Sequence, residues 1–455
     1  PSPVKPKWPA ITWASCNDES GDGPRVLGIN PWIYDFAAYN LWSRPAGLLA
    51  GLHMLRASGA RVALMDCLDQ TWSDVPWPKA HDTAKGHYPK TLVPKPAALS
   101  SVPRRYGRYG HEPDVVREAL RRLSPPPDLI LVTTVMTYWY PGAAQAVAMV
   151  RELWPDVPVV LGGIYASLCS GHAQGLGADL VLGGRFEDPG VWKRLWEMLG
   201  RPVPALPAGA GLELALDLYA APDFSIILGS RGCPFRCDYC ASHSLYPGFR
   251  QARAQALIDS VRAEYERGVR DFAFYDDALL VSPETWLWPL LDWLEGKGVR
   301  LHTPNAMHVR YLTPEVCHRL KRAGLHTVRL GLETEDFEHR LDVKLSRDEW
   351  DAGVAALREA GFGPQEVGAY ILFGLPGQDW VGVERSIAMV RASGIRPELA
   401  YFTPIPTSPL FERACQVSSF SVQSEPLCQN NSIWPCVEGG YSWDRLRSWR
   451  KLLEG

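Results

Sequence analysis

Cys233, Cys237 and Cys240 stand in the run RGCPFRCDYCASH (Arg231–His243), with three and then two residues between them. A disulfide takes two thiols and a structural zinc site four ligands, so three thiolates at this spacing point elsewhere. One answer is a [4Fe–4S] cube. Three thiolates hold three irons and leave the fourth open to a substrate or cofactor, whereas a purely electron-transfer cluster takes four protein ligands. Zinc is the alternative, with His243 as fourth ligand, although zinc motifs normally pair two Cys-x-x-Cys knuckles. Cys415, Cys428 and Cys436 have twelve and then seven residues between them. That spacing matches no iron–sulfur pattern and reads as free thiols.

The elements around the triplet place it. From Arg25 onward short apolar runs alternate with amphipathic stretches, the pattern of an α/β protein with parallel sheets. The first set of strands is expected at Arg25–Asn30, Arg61–Asp66, Asp128–Thr133, Val157–Gly163 and Asp179–Gly184, with helices near Pro45–Ala57, Pro113–Leu123, Pro141–Trp154 and Pro189–Leu199. Ligands of such doubly wound, Rossmann- or flavodoxin-like sheets sit beyond the carboxyl ends of the strands. Between Ser73 and Glu112 the pattern stops, and the stretch reads as a disordered insertion or a lid. A Pro/Ala/Gly-rich segment, Arg201–Gly211, reads as the boundary between halves.

The second half supplies six strand-like runs: Phe224–Ser230, Asp271–Asp277, Val299–Asn305, His326–Glu333, Val367–Gly374 and Glu398–Pro404. Six βα units predict a partial (β/α)6, TIM-like barrel with its chemistry at the carboxyl strand ends. The cysteine loop follows the first of these strands directly. Ser282 and Thr313 are expected to cap helices that open on prolines, and Ser346 with Glu349 has capping-box spacing. The expected division is therefore residues 1–210, a barrel over 211–411 and a C-terminal extension over 412–455.

Composition narrows the class. The net charge of −3 gives no general case for a polyanionic partner, and nothing reads as a nucleic-acid module. No apolar run reaches the roughly 18 residues of a membrane span, so the expected compartment is the cytoplasm. Ten cysteines would there be reduced and available to metal.

The ordered set of motifs resembles the radical S-adenosylmethionine (SAM) superfamily. The resemblance spans about Phe224–Phe411 and rests on CPFRCDYC, with the aromatic Tyr239 before the third cysteine. It rests equally on the strand ends YDDA (Tyr275–Ala278), GLETED (Gly331–Asp336), LFGLPGQ (Leu372–Gln378) and PIPTSPLF (Pro404–Phe411). Thr407-Ser408 stands where Gly-Thr is usual, a departure. The resemblance implies that Cys233, Cys237 and Cys240 ligate the cluster and are catalytic. The open iron would chelate the amino and carboxyl groups of SAM. An electron, from a donor such as flavodoxin or ferredoxin, would then release a 5′-deoxyadenosyl radical. Tyr239, Asp276, Asp277 and Glu333 would contact SAM, and Gly374 and Gly377 would let backbone approach its adenosine. Capping by Asp277 is the plainer alternative for that residue. Asn305, His308 and Arg310 follow the third strand and could line the lumen, or His308 is a satisfied loop histidine.

The resemblance continues into the first half, to members of the family with a cobalamin (B12)-binding domain. INPWIYDF, PAGLLAGLHMLRASGARVALMD (Pro45–Asp66) and LGGIYASLCSGHA (Leu161–Ala173) carry it. It implies a corrinoid against Asn30, Thr134, Thr137, Gly162, Gly163, Tyr165 and Gly184. The DxHxxG motif, whose His ligates cobalt in many such proteins, is missing: DCLDQTW (Asp66–Trp72) has the acid and no His. The expected activity is a cobalamin-dependent methyl transfer to an unactivated carbon of an organic or peptide substrate. A non-methylating cyclisation or rearrangement, with or without cobalamin, is the alternative, and a non-catalytic carrier a third reading.

Overall fold

A computed structural model describes residues 11–15, 23–71, 83–342 and 344–454. The chain forms two compact units, one of residues up to Pro96 with Arg104–Asp223, the other of Ala97–Pro103 with Phe224–Gly455.

The first unit is built on five parallel strands, β1 (Arg25–Asn30), β2 (Arg61–Asp66), β3 (Leu129–Val132), β4 (Val159–Leu161) and β5 (Leu180–Val181), in the order 5-4-3-1-2. The continuous apolar strands are covered on both faces. Leu27, Ile29, Ala63 and Met65 pack towards helices Pro113–Arg121 and Tyr140–Leu153. Their neighbours Val26, Val62, Leu129 and Leu131 pack towards Ala46–Ala57 and Pro189–Met198. The order reverses between β1 and β3, which is where a doubly wound sheet offers a crevice. The β1–β2 register sets Asn30 beside Asp66 at the carboxyl edge.

The expected structureless insertion is corrected in part. Residues 72–82 lie outside the described residues, but Lys90–Leu92 and Gly107–Tyr109 form an antiparallel sheet with Ile33–Asp35. Strands of three residues are too short for periodicity to reveal. The first unit also runs on to Asp223, past the expected boundary. The Ala215 N–H donates to Leu49 O at 3.2 Å and the Tyr219 hydroxyl to Asp66 at 2.6 Å, which holds this segment on the first sheet.

The second unit carries β6 (Ser225–Ile227), β7 (Asp271–Phe274), β8 (Arg300–His302), β9 (Leu325–Glu333), β10 (Val367–Phe373) and β11 (Arg396–Tyr401), parallel and in sequence order. Thr313 accepts from the Val316 N–H, and the Ser346–Glu349 capping box is complete. Ser282 differs: it has φ +45° and no side-chain cap, and a short 3-10 turn intervenes before the helix at Leu287. The C-terminal residues are no mere extension. Trp434, Val437, Tyr441, Leu446 and Trp449 join the barrel's core, and Phe373 meets Trp434 at 5.0 Å and Trp449 at 5.4 Å. Cys428 and Cys436 are buried thiols, pushed up by desolvation to about 11 and about 12. Among the described residues no helix is long and apolar enough to cross a membrane.

Candidate active site

The cysteine loop leaves the carboxyl end of β6 and is closed at its base, where Ser230–Arg231 pair antiparallel with Arg250–Gln251. Gly232 has φ +83°, and a Cβ there would lie 2.0 Å from Gly248 O, so this turn admits glycine alone. Backbone bonds stitch the middle of the loop to two other strand ends: Asp238 N–H donates to Leu341 O at 3.2 Å, and Leu410 N–H to Asp238 O at 3.0 Å. Asp277 goes to the loop as well, accepting from the Gly232 N–H and the Ser242 hydroxyl on either side of the cysteines. It neither caps a helix nor faces away from the loop.

Burial raises the Cys233 thiol and pushes Cys237 up to about 11. Against this, Phe235 N–H bonds the Cys233 sulfur, and Ser242 N–H reaches Cys240 Sγ at 3.4 Å. Amide bonds to sulfur stabilise thiolates and tune iron–sulfur centres. Among the described residues no three His, Cys, Asp or Glu side chains converge on one ion. A cube needs no such convergence, because each thiolate holds its own corner.

Sequence reasoning missed the cation of this site, Lys344. Its ammonium bonds Cys237 and lies 5.4 Å over the Tyr239 ring. Burial opposes its charge, but Glu333, then Cys237 and Asp342, outweigh burial and raise its pKa. A lysine two residues before a capping serine carries no sequence signal; only the fold brings it under the loop. The Tyr239 hydroxyl donates to Asp342 Oδ2 at 2.7 Å, and Arg340 pairs with Asp342 at 2.9 Å. Burial raises the Glu333 carboxyl despite Lys344. Glu333 sits at φ +68° beside an irregularity in the β9–β10 register, a strained backbone that directs it at the site. Asp276 takes the Ser230 hydroxyl at 2.6 Å on Oδ1, leaves Oδ2 without a partner, and is pushed to about 7 by burial.

The loop after β10 is held from within. Gly374 and Gly377 have φ +86° and +72°, and Gln378 accepts from Gly374 N–H at 2.7 Å and donates to Leu372 O at 2.7 Å. A cleft of about 190 Å³ opens beside it, lined by Tyr239, Glu333, Asp342, Leu375 and Gln378 among others. On the loop after β8, Asn305 is bonded to Tyr275 O at 3.2 Å. His308 is not the satisfied histidine of the plainer reading, since neither ring nitrogen has a partner.

In the first unit the expected corrinoid residues separate into two groups. Gly162, Gly163 and Gly184 line a cavity of about 30 Å³ with Leu131, Val160 and Phe186. Gly163 has φ +88°, and a Cβ there would lie 2.5 Å from Thr133 Oγ1, whereas a Cβ on Gly162 meets nothing closer than 3.8 Å. The cavity is smaller than a heterocycle, so what the glycines offer a flat group is an edge with no side chains of their own. The other expected residues bond within the fold. Asn30 donates to Asp66 at 2.7 Å, and Thr134 Oγ1 donates to Met136 O at 3.0 Å. Thr137 is buried in a 3-10 turn. Tyr165 is 0% exposed, bonded to His172 Nδ1 at 2.6 Å and stacked on Tyr140. The resemblance placed it at the corrinoid edge, but a short helix, Gly163–Leu168, turns it into the core. Asp66, the acid of DCLDQTW, joins a buried network with Tyr219 and Arg44, whose guanidinium stacks 3.6 Å from the Tyr219 ring and reaches Asp69 at 3.3 Å.

With that geometry in hand, comparison with known proteins is direct. Residues 227–390 match the radical SAM superfamily. The chain is 25% identical over 278 residues to bacteriochlorophyllide d C-12(1)-methyltransferase of Chlorobaculum tepidum, covering 56% of this chain and 59% of that one. It is 26% identical over 208 residues to an uncharacterized methyltransferase of Pyrococcus horikoshii, covering 44% of each. The chain thus spans about half the length of these relatives. The solved structures of TsrM, a radical SAM methyltransferase from Kitasatospora setae, share its fold. One, with tryptophan substrate and a SAM analogue, has TM-score 0.62 at 16% identity over 87% of this chain and 77% of TsrM. Another, with cobalamin and a [4Fe–4S] cluster, has TM-score 0.61 at 15% identity over 87% and 76%. The second unit thus carries a radical SAM domain over residues 227–390. The first unit has the α/β fold that accompanies such a domain in TsrM.

Proposed function

We propose that the protein is a cobalamin-dependent radical SAM methyltransferase that methylates an unactivated carbon. The observation that carries the reading is a three-cysteine loop pinned by Asp277 and charge-compensated by Lys344, in a chain whose other unit presents a glycine-lined strand edge. The methyltransferase names of its relatives point the same way. When bound, the cluster, SAM and the corrinoid would supply the radical and the methyl group, and the chain's own residues position them. Cys233, Cys237 and Cys240 would hold the cluster. Lys344 would offset its thiolate charge, as a buried cation beside anions does. Tyr239, Glu333 and Asp276 would face SAM, with the open Oδ2 of Asp276 ready to accept an N–H bond. Gly162, Gly163 and Gly184 would underlie the corrinoid, and Asn30, Thr134 and Thr137 would support that edge from within.

The experiment is to incubate the anaerobically reconstituted enzyme with SAM and a low-potential reductant. Both 5′-deoxyadenosine and S-adenosylhomocysteine are then quantified. Methyl transfer by this route predicts both. 5′-Deoxyadenosine alone would replace it with a non-methylating radical reaction.

A further inference from the structure

Around Phe235, the aromatic residue between Cys233 and Cys237, polar atoms are left unbonded. The His308 ring stacks on Phe235 with centroids 4.5 Å apart and planes 27° apart, and Tyr311 meets the imidazole edge-on at 6.3 Å. His308 is 7% exposed, and neither Nδ1 nor Nε2 has a hydrogen-bond partner. The Arg310 guanidinium lies 5.7 Å from the same Phe235 ring. Its Nη2 donates to Glu349 at 3.2 Å, while its buried Nε bonds nothing.

Buried ring nitrogens are rarely left in this state. His302, a structural histidine of the same barrel, shows the usual one: its nitrogens meet Thr327 and Asp271, each at 2.9 Å. Burial, with Lys344 and Arg310 nearby, pushes His308 down to about 3, so its ring is neutral and offers one donor and one acceptor. The charged groups that act on His308 are Lys344 and Arg310 against Asp342, and although Glu349 holds Arg310 Nη2 and Glu333 faces Lys344, the imidazole N–H and Arg310 Nε–H remain as open donors. Such a set suits a carboxylate.

We propose that His308, with Arg310 Nε, binds the carboxylate of a molecule seated at the cysteine loop, the Phe235 ring turning off the imidazole as that molecule arrives. The proposal rests on the radical SAM reading for the identity of the loop. Two molecules can bring a carboxylate there, SAM itself or the methyl acceptor.

The test uses full-length, cluster-reconstituted protein labelled with 15N-histidine, the His308 signal being assigned by its loss in His308→Gln. It is titrated with SAM and, separately, with acetate as a bare carboxylate. A His308 shift with SAM, at least tenfold weaker SAM binding in His308→Ala and recovery in His308→Gln assign the carboxylate to SAM. A shift with acetate but not SAM, with SAM affinity unchanged in His308→Ala, assigns it to the acceptor. In that case Phe235→Ala, which uncovers the imidazole, binds acetate more tightly. No shift with either probe, together with unchanged SAM affinity in His308→Ala, overturns the proposal. If SAM leaves the EPR signal of the reduced wild-type cluster unchanged, the radical SAM reading itself fails, and the acetate arm still decides the carboxylate site.

Discussion

The two units treat the polar residues at their strand ends in opposite ways. In the second, Asp276 and His308 sit buried at the barrel's carboxyl edge with polar atoms left open. In the first, Asn30, Asp66, Arg44 and Tyr219 bond to one another across the ends of β1 and β2. A buried network satisfied internally makes a rigid platform, whereas buried groups left open wait for a ligand. On the proposed function, the second unit would recognise its cofactors through side chains. The first offers a bare glycine edge, and specificity there would come from shape.

That contrast can be broken or sharpened by substitution. Cys237→Ala should abolish cluster assembly, iron falling from about four per chain to near zero, and with it all SAM cleavage; retained cleavage would remove the basis of the second-unit site. Gly232→Ala adds a Cβ 2.0 Å from Gly248 O at a positive φ. It should cost about 3–4 kcal/mol of loop stability, read as iron loss during anaerobic desalting. Gly163→Ala is the first unit's counterpart, with its Cβ 2.5 Å from Thr133 Oγ1 at φ +88°. A cost of about 2–3 kcal/mol in denaturant midpoint is expected, with corrinoid binding lost and the cluster kept.

Asp276 gives the contrast a pH signature. Its pKa rises from 3.8 to about 7 in the folded state, mainly by burial. A raised acid contributes stability that is complete below about pH 4 and is lost as pH climbs to 7. Asp276→Asn should therefore gain on the wild type between pH 4 and pH 8, by up to about 4 kcal/mol in urea midpoints. A constant difference would mean that the carboxyl is ionised throughout. Smallest is Tyr165→Phe, which removes one bond to His172 and should cost about 1 kcal/mol with corrinoid binding intact. Loss of the corrinoid would return Tyr165 to the cofactor edge.

The architecture was legible because it is written in long signals. Arg25–Asn30 and Arg61–Asp66 are strands at the residues their apolar runs mark, and the Ser346 capping box is present as its spacing predicts. The cysteine loop was legible because three thiols in eight residues have few uses. What stayed hidden depends on direction in space. Lys344 has no local pattern, Tyr165 was turned inward by one short helix, and Asp277 points at the loop where its neighbour Asp276 does not. The tail's aromatics read as an extension because they are irregularly spaced, yet they complete the barrel's core.

The most direct test of the account is the amount of corrinoid held per chain after anaerobic reconstitution with hydroxocobalamin and exhaustive desalting, read by absorbance beside the cluster's iron. The account predicts close to one corrinoid per chain, reduced by Gly163→Ala and unaffected by Cys237→Ala. A protein that keeps its cluster and retains no corrinoid would contradict it, leaving the first unit as a scaffold and the chemistry to SAM alone.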